Sequence, residues 1–143
     1  MDGIFLSKVA RRDGATRNAT ELRCHGVDSR DFARAEVRSA DTLSMSALAV
    51  LEPKIVLFAR LGPEAVSLFD QLLEKSGIVV VPFDDGMAGA AFDAFRRFGK
   101  RQGHPVQLNI VDCTMYALAK SRWEPLLFKD DDFARTDIVP ALA

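Results

Sequence analysis

Carboxylates occur at two places that an α/β chain brings to the same rim of its sheet. Asp112 opens a helical run that continues to Lys120, and residues 130–132 are three aspartates that follow the apolar run 125–128. Because a helix start and the carboxyl end of a neighbouring strand meet at one rim, we expect these side chains to converge. Converging carboxylates repel one another unless a cation or a proton neutralises them. The pattern predicts a hard-metal site.

The same acids also have a purely structural interpretation. Asn109 could cap the helix with Asp112 at its third position, where a carboxylate interacts favourably with the helix dipole. The aspartates 130–132 could form a solvated turn, because aspartate bonds to nearby backbone N–H groups. Both interpretations stay open for Asp112, Asp130 and Asp132.

Length and composition limit the classes of protein to consider. The chain has 143 residues, 48% of them hydrophobic and 27% charged, which is typical of one globular domain of residues 1–143. No apolar stretch reaches the ~20 residues that cross a bilayer, and no export signal opens the chain. Cys24 and Cys113 lack metal-ligand spacing, so we expect a cytoplasmic protein with free thiols. The net charge of −1 gives no global attraction to nucleic acid.

Helical patterns recur from Ser44 onward. One helix carries Glu52 and should kink at Pro53, and the next begins at Pro63 and stops at Gly77. A turn is expected at 84–86, followed by a third helix that ends before Gly99, and a fourth helix runs from Ile110.

Short apolar runs between these helices indicate strands. Residues 78–81 are long enough for a buried strand and too short for a helix, and another strand is expected around Leu126. Alternation of such strands with helices predicts a parallel sheet covered on both faces. Residues 1–43 differ, because a strand at 3–6 is followed by a stretch with seven arginines and no clear period.

Several blocks of residues 44–139 occur together in one known family. The more specific blocks are Glu124-Pro125-Leu126-Leu127-Phe128-Lys129 and Asp132-Phe133-Ala134-Arg135-Thr136-Asp137-Ile138. Supporting blocks are Val80-Val81-Pro82-Phe83-Asp84, Arg97-Phe98-Gly99-Lys100, Asn109 with Asp112-Cys113, and Tyr116-Ala117-Leu118-Ala119-Lys120. In these blocks the chain resembles PIN-domain ribonucleases, most closely toxins of the VapBC toxin–antitoxin type.

The resemblance implies a three-layer α/β/α sandwich with a central parallel sheet, whose acids hold Mg²⁺ or Mn²⁺ and cleave single-stranded RNA. It assigns Asp112 and Asp132 to metal binding. Glu52 would hold a second metal ion or orient the attacking water, although it could equally be a plain helix-surface residue. Asp130 is the second choice for the last ligand, because it stands where relatives often have glycine.

The resemblance also implies contacts with RNA and with protein partners. Lys100, Arg101 and Lys129 could flank an RNA path through salt-dependent phosphate contacts, although a basic loop is more often only a solvated face. Tyr116 could stack on a base, whereas core packing is the favoured role for Trp123. The expected partners are a cognate antitoxin that docks an amphipathic helix, and a second copy of the chain in a homodimer. No membrane contact is expected.

The chain departs from the family at its beginning. The family starts with an apolar strand ending in aspartate, but here Ile4-Phe5-Leu6 is followed by Ser7. This departure supports an alternative, a catalytically impaired PIN-like module that binds antitoxin or RNA without cleaving. A third hypothesis is an α/β domain whose acids are only structural.

Overall fold

The computed structural model describes residues 6–9, 42–128 and 132–141. In chain order the elements are β1 Leu6–Val9, β2 Thr42–Ser46, α1 Ala47–Leu61, α2 Pro63–Ser76, β3 Val79–Val81, α3 Asp85–Phe98, α4 Ile110–Arg122 and β4 Leu126–Leu127. A single 3₁₀ turn, Phe133–Arg135, follows β4. The strand expected at 3–6 overlaps β1 only at Leu6, and its first three residues lie outside the described residues.

The described strands form one four-stranded sheet in the order β3-β2-β1-β4. β2 pairs in parallel with β3, with Met45 opposite Val80. β1 is antiparallel to both β2 and β4, so β2, β3 and β4 all run in one direction. The predicted α/β fold with parallel pairing is confirmed. The reversed strand, β1, lies in the atypical segment 1–43.

Glycine and proline set the helix boundaries as the sequence predicted. Pro63 occupies the first turn of α2, where its missing N–H breaks no hydrogen bond, and Gly77 ends that helix at φ 68° in the left-handed region. α1 continues without interruption through Pro53. α1 packs against α2, α4 and β2, so its remaining hydrogen bonds and this packing hold the turn together and keep Glu52 on a regular helix.

Asp84 begins a helix, which corrects the predicted turn at 84–86. Its carboxylate accepts a hydrogen bond from the Met87 backbone N–H at 2.8 Å, so Asp84 is the N-cap of α3. Asp85 and Gly86 therefore lie in the first helical turn. An aspartate followed by a second acid is a strong helix start as well as a turn signal, because both structures use the same side-chain oxygen.

The core is built around α4, which packs on β1, β2, β4 and α3. Met115, Ala117 and Leu118 on α4 are fully buried. β3 lies at one edge of the sheet formed by the described strands, and Val79 and Val80 are exposed, which corrects the prediction of a buried strand. None of the helices in the described ranges has the length and apolar character needed to cross a membrane.

Candidate metal and nucleic-acid site

Asp112 is a buried carboxylate at the head of α4, with 6% of its surface exposed. Asp112 Oδ2 accepts a hydrogen bond from the Asn109 N–H at 2.8 Å, and Asn109 Oδ1 accepts one from the Asp112 N–H at 2.9 Å. This reciprocal capping box confirms the structural interpretation of the Asn109–Asp112 pair. It also fixes the direction of a hard oxygen donor, so the two interpretations of Asp112 are compatible.

The residue after Asp112 is an unreactive thiol. Burial, together with the negative charge of Asp112, raises the pKa of Cys113 to about 12. Because the thiolate is the reactive form, Cys113 remains a protonated core side chain near neutral pH. It is free, as predicted, whereas Cys24 lies outside the described residues.

The other predicted ligands lie on separate elements. Glu52 is half-buried on α1, and Asp132 is exposed directly before the 3₁₀ turn, where its side chain makes no capping bond. Asp130 lies outside the described residues. Within the described ranges, no three His, Cys, Asp or Glu side chains are grouped closely enough to hold a metal ion. The structure thus does not group Glu52, Asp112 and Asp132 as a three-acid site, and their convergence around a bound ion stays a prediction.

The donor chemistry nevertheless fits a hard cation. All the predicted ligands are carboxylates, which Mg²⁺ prefers, and a small number suffices because the ion keeps several waters. Ser46 contributes a buried hydroxyl that could not be recognised from the sequence. Its fully buried Oγ has no hydrogen-bond partner among the described residues and does not cap α1. A buried hydroxyl of this kind at the end of β2 is costly unless something binds it.

The predicted RNA-binding side chains have different environments. Lys100 and Arg101 are exposed on the loop between α3 and α4, whereas Lys129 lies outside the described residues. Tyr116 is only 4% exposed, and its ring packs 5.7 Å from the Phe98 ring. A base cannot reach the buried faces of Tyr116, so its position favours packing of α3 on α4 over stacking.

Trp123 is the opposite case and corrects the expectation of core packing. It is 92% exposed and ends α4 at φ 57°, a left-handed conformation that favours glycine. The Trp123 N–H donates to the Lys120 carbonyl, so the helix end is satisfied while the indole faces solvent.

A polar network that sequence reasoning missed joins α3, α4 and the C-terminal segment. The Tyr116 hydroxyl donates to Asp137 Oδ1 at 2.5 Å and accepts from Arg97 Nη1 at 3.1 Å. Arg97 Nη2 and Lys120 Nζ lie 3.3 and 3.0 Å from Asp137 Oδ2. The signal available in the sequence was the spacing of Tyr116 and Lys120, one helical turn apart, together with the block containing Asp137.

The network shifts the ionisation of both of its acidic groups. Burial acts to raise the pKa of Asp137, but hydrogen bonds from Tyr116 and Lys120 and the charges of Arg97 and Lys120 lower it to about 2. Burial, the hydrogen bond to Asp137 and the charge of Asp137 together raise the pKa of Tyr116 to about 12, against the lowering effect of Arg97. Near neutral pH, Asp137 is ionised and Tyr116 keeps its proton.

An exposed apolar stripe runs along α1. Leu51, Ile55 and Phe58 recur at helical spacing, and all three are exposed, Phe58 to 62%. These residues form one face of the helix. We call them the α1 apolar stripe. An exposed apolar row of this kind typically marks a surface that another chain covers.

Comparison with known proteins agrees with this architecture. The PIN domain family model matches residues 25–139. Ribonuclease VapC42 of Mycobacterium tuberculosis is 44% identical over 97 residues, covering 68% of this chain and 74% of that protein. Ribonuclease VapC28 of the same species is 41% identical over 104 residues, covering 73% and 78%. Ribonuclease VapC of Mycolicibacterium smegmatis is 40% identical over 95 residues, covering 66% and 73%.

The α/β fold and the length of the matched region together define the class of this protein, and the chain belongs to the PIN-domain family. Within that family it is a VapC-like toxin, as the resemblance of residues 44–139 predicted.

Proposed function

We propose that this chain is a Mg²⁺- or Mn²⁺-dependent endoribonuclease that cleaves single-stranded RNA and acts in the cytoplasm as a toxin. The observation that carries the proposal is the buried Asp112 carboxylate, held by Asn109 at the head of α4 in a PIN-domain chain similar to VapC ribonucleases. When bound, the divalent cation neutralises charge on the scissile phosphate and activates water for attack.

Each proposed ligand has a distinct role. Asp112 and Asp132 hold the cation, with Asp130 as the alternative to Asp132. Glu52 presents its carboxylate from α1 to a second ion or to the attacking water. The capping bonds restrain the Asp112 side chain in advance, and preorganised ligands of this kind make binding tighter and more specific.

The exposure and charge of surface residues support the proposed contacts with RNA and antitoxin. Lys100 and Arg101 contact RNA phosphates from the loop between α3 and α4. The α1 apolar stripe takes the amphipathic helix of an antitoxin, because exposed apolar residues at helical spacing suit docking of a helix. A homodimer is part of the same proposal and is tested by sedimentation of the purified chain.

Cleavage of a mixed RNA pool tests the enzyme proposal. Wild type should cleave with Mg²⁺ or Mn²⁺ and stop when the metal is chelated. Asp112→Asn should lose roughly 100-fold or more, since several kcal/mol of transition-state stabilisation depend on the ligand set. Equal cleavage by Asp112→Asn would identify a contaminating nuclease and overturn the proposal.

A second candidate function is supported by the N-terminal segment. β1, Leu6–Val9, contains no carboxylate, and no three-residue acid cluster occurs within the described ranges. A PIN-like module that binds antitoxin or RNA without cleaving fits these observations. It predicts that wild type binds single-stranded RNA in a gel-shift assay yet shows no metal-dependent cleavage.

A further inference from the structure

We propose that Asp137 is a positioning residue, which ties the segment carrying Asp132 to α4 and so determines where that carboxylate lies. The inference rests on the function proposed above, in which Asp132 is a metal ligand. It gives a structural role to a network that takes no part in the proposed chemistry. The network consists of Arg97, Tyr116, Lys120 and Asp137.

Among the described residues, few contacts restrain the Asp132 side chain directly. It is exposed, and its side chain makes no capping bond to the 3₁₀ turn that follows it. A metal ligand has to be held to within about 0.5 Å of its working position, so neighbouring contacts must supply the restraint. Phe133 supplies one contact, because it is almost fully buried and its ring lies 5.4 Å from the Phe128 ring.

The second restraint is the attachment of Asp137 to α4. Three side chains contact its carboxylate, and Lys120 Nζ also donates to its backbone carbonyl at 3.2 Å. Between the two anchors, the Thr136 hydroxyl and N–H donate to the Phe133 carbonyl at 2.7 and 3.0 Å. The segment from Phe133 to Asp137 is therefore held by packing at Phe133, by hydrogen bonds within the turn and by the network at Asp137, and Asp132 directly precedes its packed end.

Helix α4 carries one proposed ligand, Asp112, and anchors the segment that carries the other, Asp132. Asp112, Tyr116 and Lys120 follow at four-residue spacing, so they lie along one face of the helix. Asp112 belongs to that helix, and Asp137 binds the same face one and two turns further along. The network thus couples the position of the Asp132 segment to the helix that carries Asp112.

Stability alone is a weak explanation for the network. Its ionic groups are about half exposed, and exposed ion pairs contribute little to the free energy of unfolding. Groups that support metal ligands have a larger effect on affinity, typically 10- to 100-fold on removal. The positioning role therefore predicts a change in metal affinity that a structural role does not.

The test uses the full chain and Mn²⁺ binding measured by calorimetry. Tyr116→Phe keeps the ring packing and removes the hydrogen bond to Asp137, and Asp137→Ala removes every contact of the carboxylate. Each should weaken Mn²⁺ binding about 10-fold. Asp93→Asn is the matched control, because it breaks an exposed ion pair with Arg96 on α3 and should leave binding unchanged.

A double variant separates this inference from the proposed function. In an Asp132→Asn background, Asp137→Ala should weaken Mn²⁺ binding no further, because it acts through the ligand already removed. If Asp132→Asn weakens binding and Asp137→Ala alone does not, the positioning role is overturned while the metal site stands. If Asp132→Asn has no effect, the assignment of Asp132 as a ligand fails, and the inference fails with it.

Hydrogen exchange gives a readout that does not depend on metal. In Tyr116→Phe, the amides of residues 132–138 should exchange several-fold faster than in wild type, while those of α2 stay unchanged. Unchanged exchange in residues 132–138 would show that the network does not restrain the segment, and would overturn the inference.

Discussion

Asn109 and Asp112 exchange two hydrogen bonds across the first turn of α4, each side chain accepting from the backbone N–H of the other residue. The Asp112 carboxylate completes the capping box at the start of α4, and it is also the proposed metal ligand. Replacing Asp112 changes both roles, whereas replacing Asn109 changes the cap and leaves the ligand in place. The pair allows the two contributions to be measured separately.

Loss of the cap should reduce stability without removing the ligand. Asn109→Ala should lower the free energy of unfolding by about 1 kcal/mol, because an N-cap oxygen is lost. Asn109→Ser keeps a capping oxygen and should remain close to wild type. Urea unfolding followed by circular dichroism measures both. Equal stability of the alanine and serine variants would show that the cap contributes nothing.

Binding of Mg²⁺ should raise the melting temperature through Asp112. A ligand that binds only the folded state at ~100 times its Kd adds about 2.7 kcal/mol, or roughly 5–10 °C for a domain of this size. Asp112→Asn should melt within a few degrees of wild type without metal and lose the Mg²⁺-dependent rise. A rise of the same size in the variant would contradict metal binding at Asp112.

Two glycines on or beside α3 should respond to alanine in opposite directions. A Cβ at Gly99 would lie 2.4 Å from Phe95 Cδ2 and 2.5 Å from the Phe95 carbonyl oxygen, so Gly99→Ala should cost about 1–3 kcal/mol. A Cβ at Gly89 meets nothing within 4 Å, so Gly89→Ala should add roughly 0.5–1 kcal/mol through helix propensity. Thermal unfolding of the two variants measures the contrast.

The network around Asp137 should make stability depend on pH in acid. The pKa of Asp137 is about 2 in the folded protein, below its ordinary value of 3.8. Its contribution is therefore present above about pH 4 and is lost as the pH falls towards 2. Because the side chain is 45% exposed, screening limits the effect to about 1 kcal/mol.

Comparison with Asp137→Asn checks this dependence. The difference in unfolding free energy between wild type and variant should be larger at about pH 6 than at about pH 3. A difference that stays constant across this range would show that the ionised carboxylate of Asp137 does not contribute.

The α1 apolar stripe should carry the antitoxin contact. Phe58→Glu should weaken binding of the candidate antitoxin at least about 30-fold, as expected for an aromatic anchor of an interface. Phe92→Glu on α3 is the control, because Phe92 is similarly exposed and lies outside the stripe. Co-purification followed by titration measures both variants. Equal weakening by the two substitutions would argue against a specific contact at the stripe.

Local signals explain why the helices could be predicted from the sequence. Pro63 and Gly77 act within one turn of the ends of α2, and Asn109 acts within the first turn of α4, so each boundary depends on nearby residues. The family of the chain could be predicted for a similar reason, because whole blocks of residues 44–139 carry it.

Features set by the tertiary structure could not be predicted in the same way. The exposure of Val79 depends on the place of β3 at the edge of the described sheet, and the sequence of β3 does not show its neighbours. Tyr116 and Asp137 are 21 residues apart, so no local period links them. The exposure of Trp123 likewise depends on where α4 ends relative to the rest of the molecule.

Trp123 also determines what the intrinsic fluorescence of this protein reports. It is the only tryptophan of the chain, and it is already surrounded by water in the folded state. Its fluorescence should therefore change little on denaturation and follow unfolding poorly. A blue shift of the Trp123 emission would instead show that another molecule covers the end of α4. Binding at this end of the helix can therefore be followed without an added label.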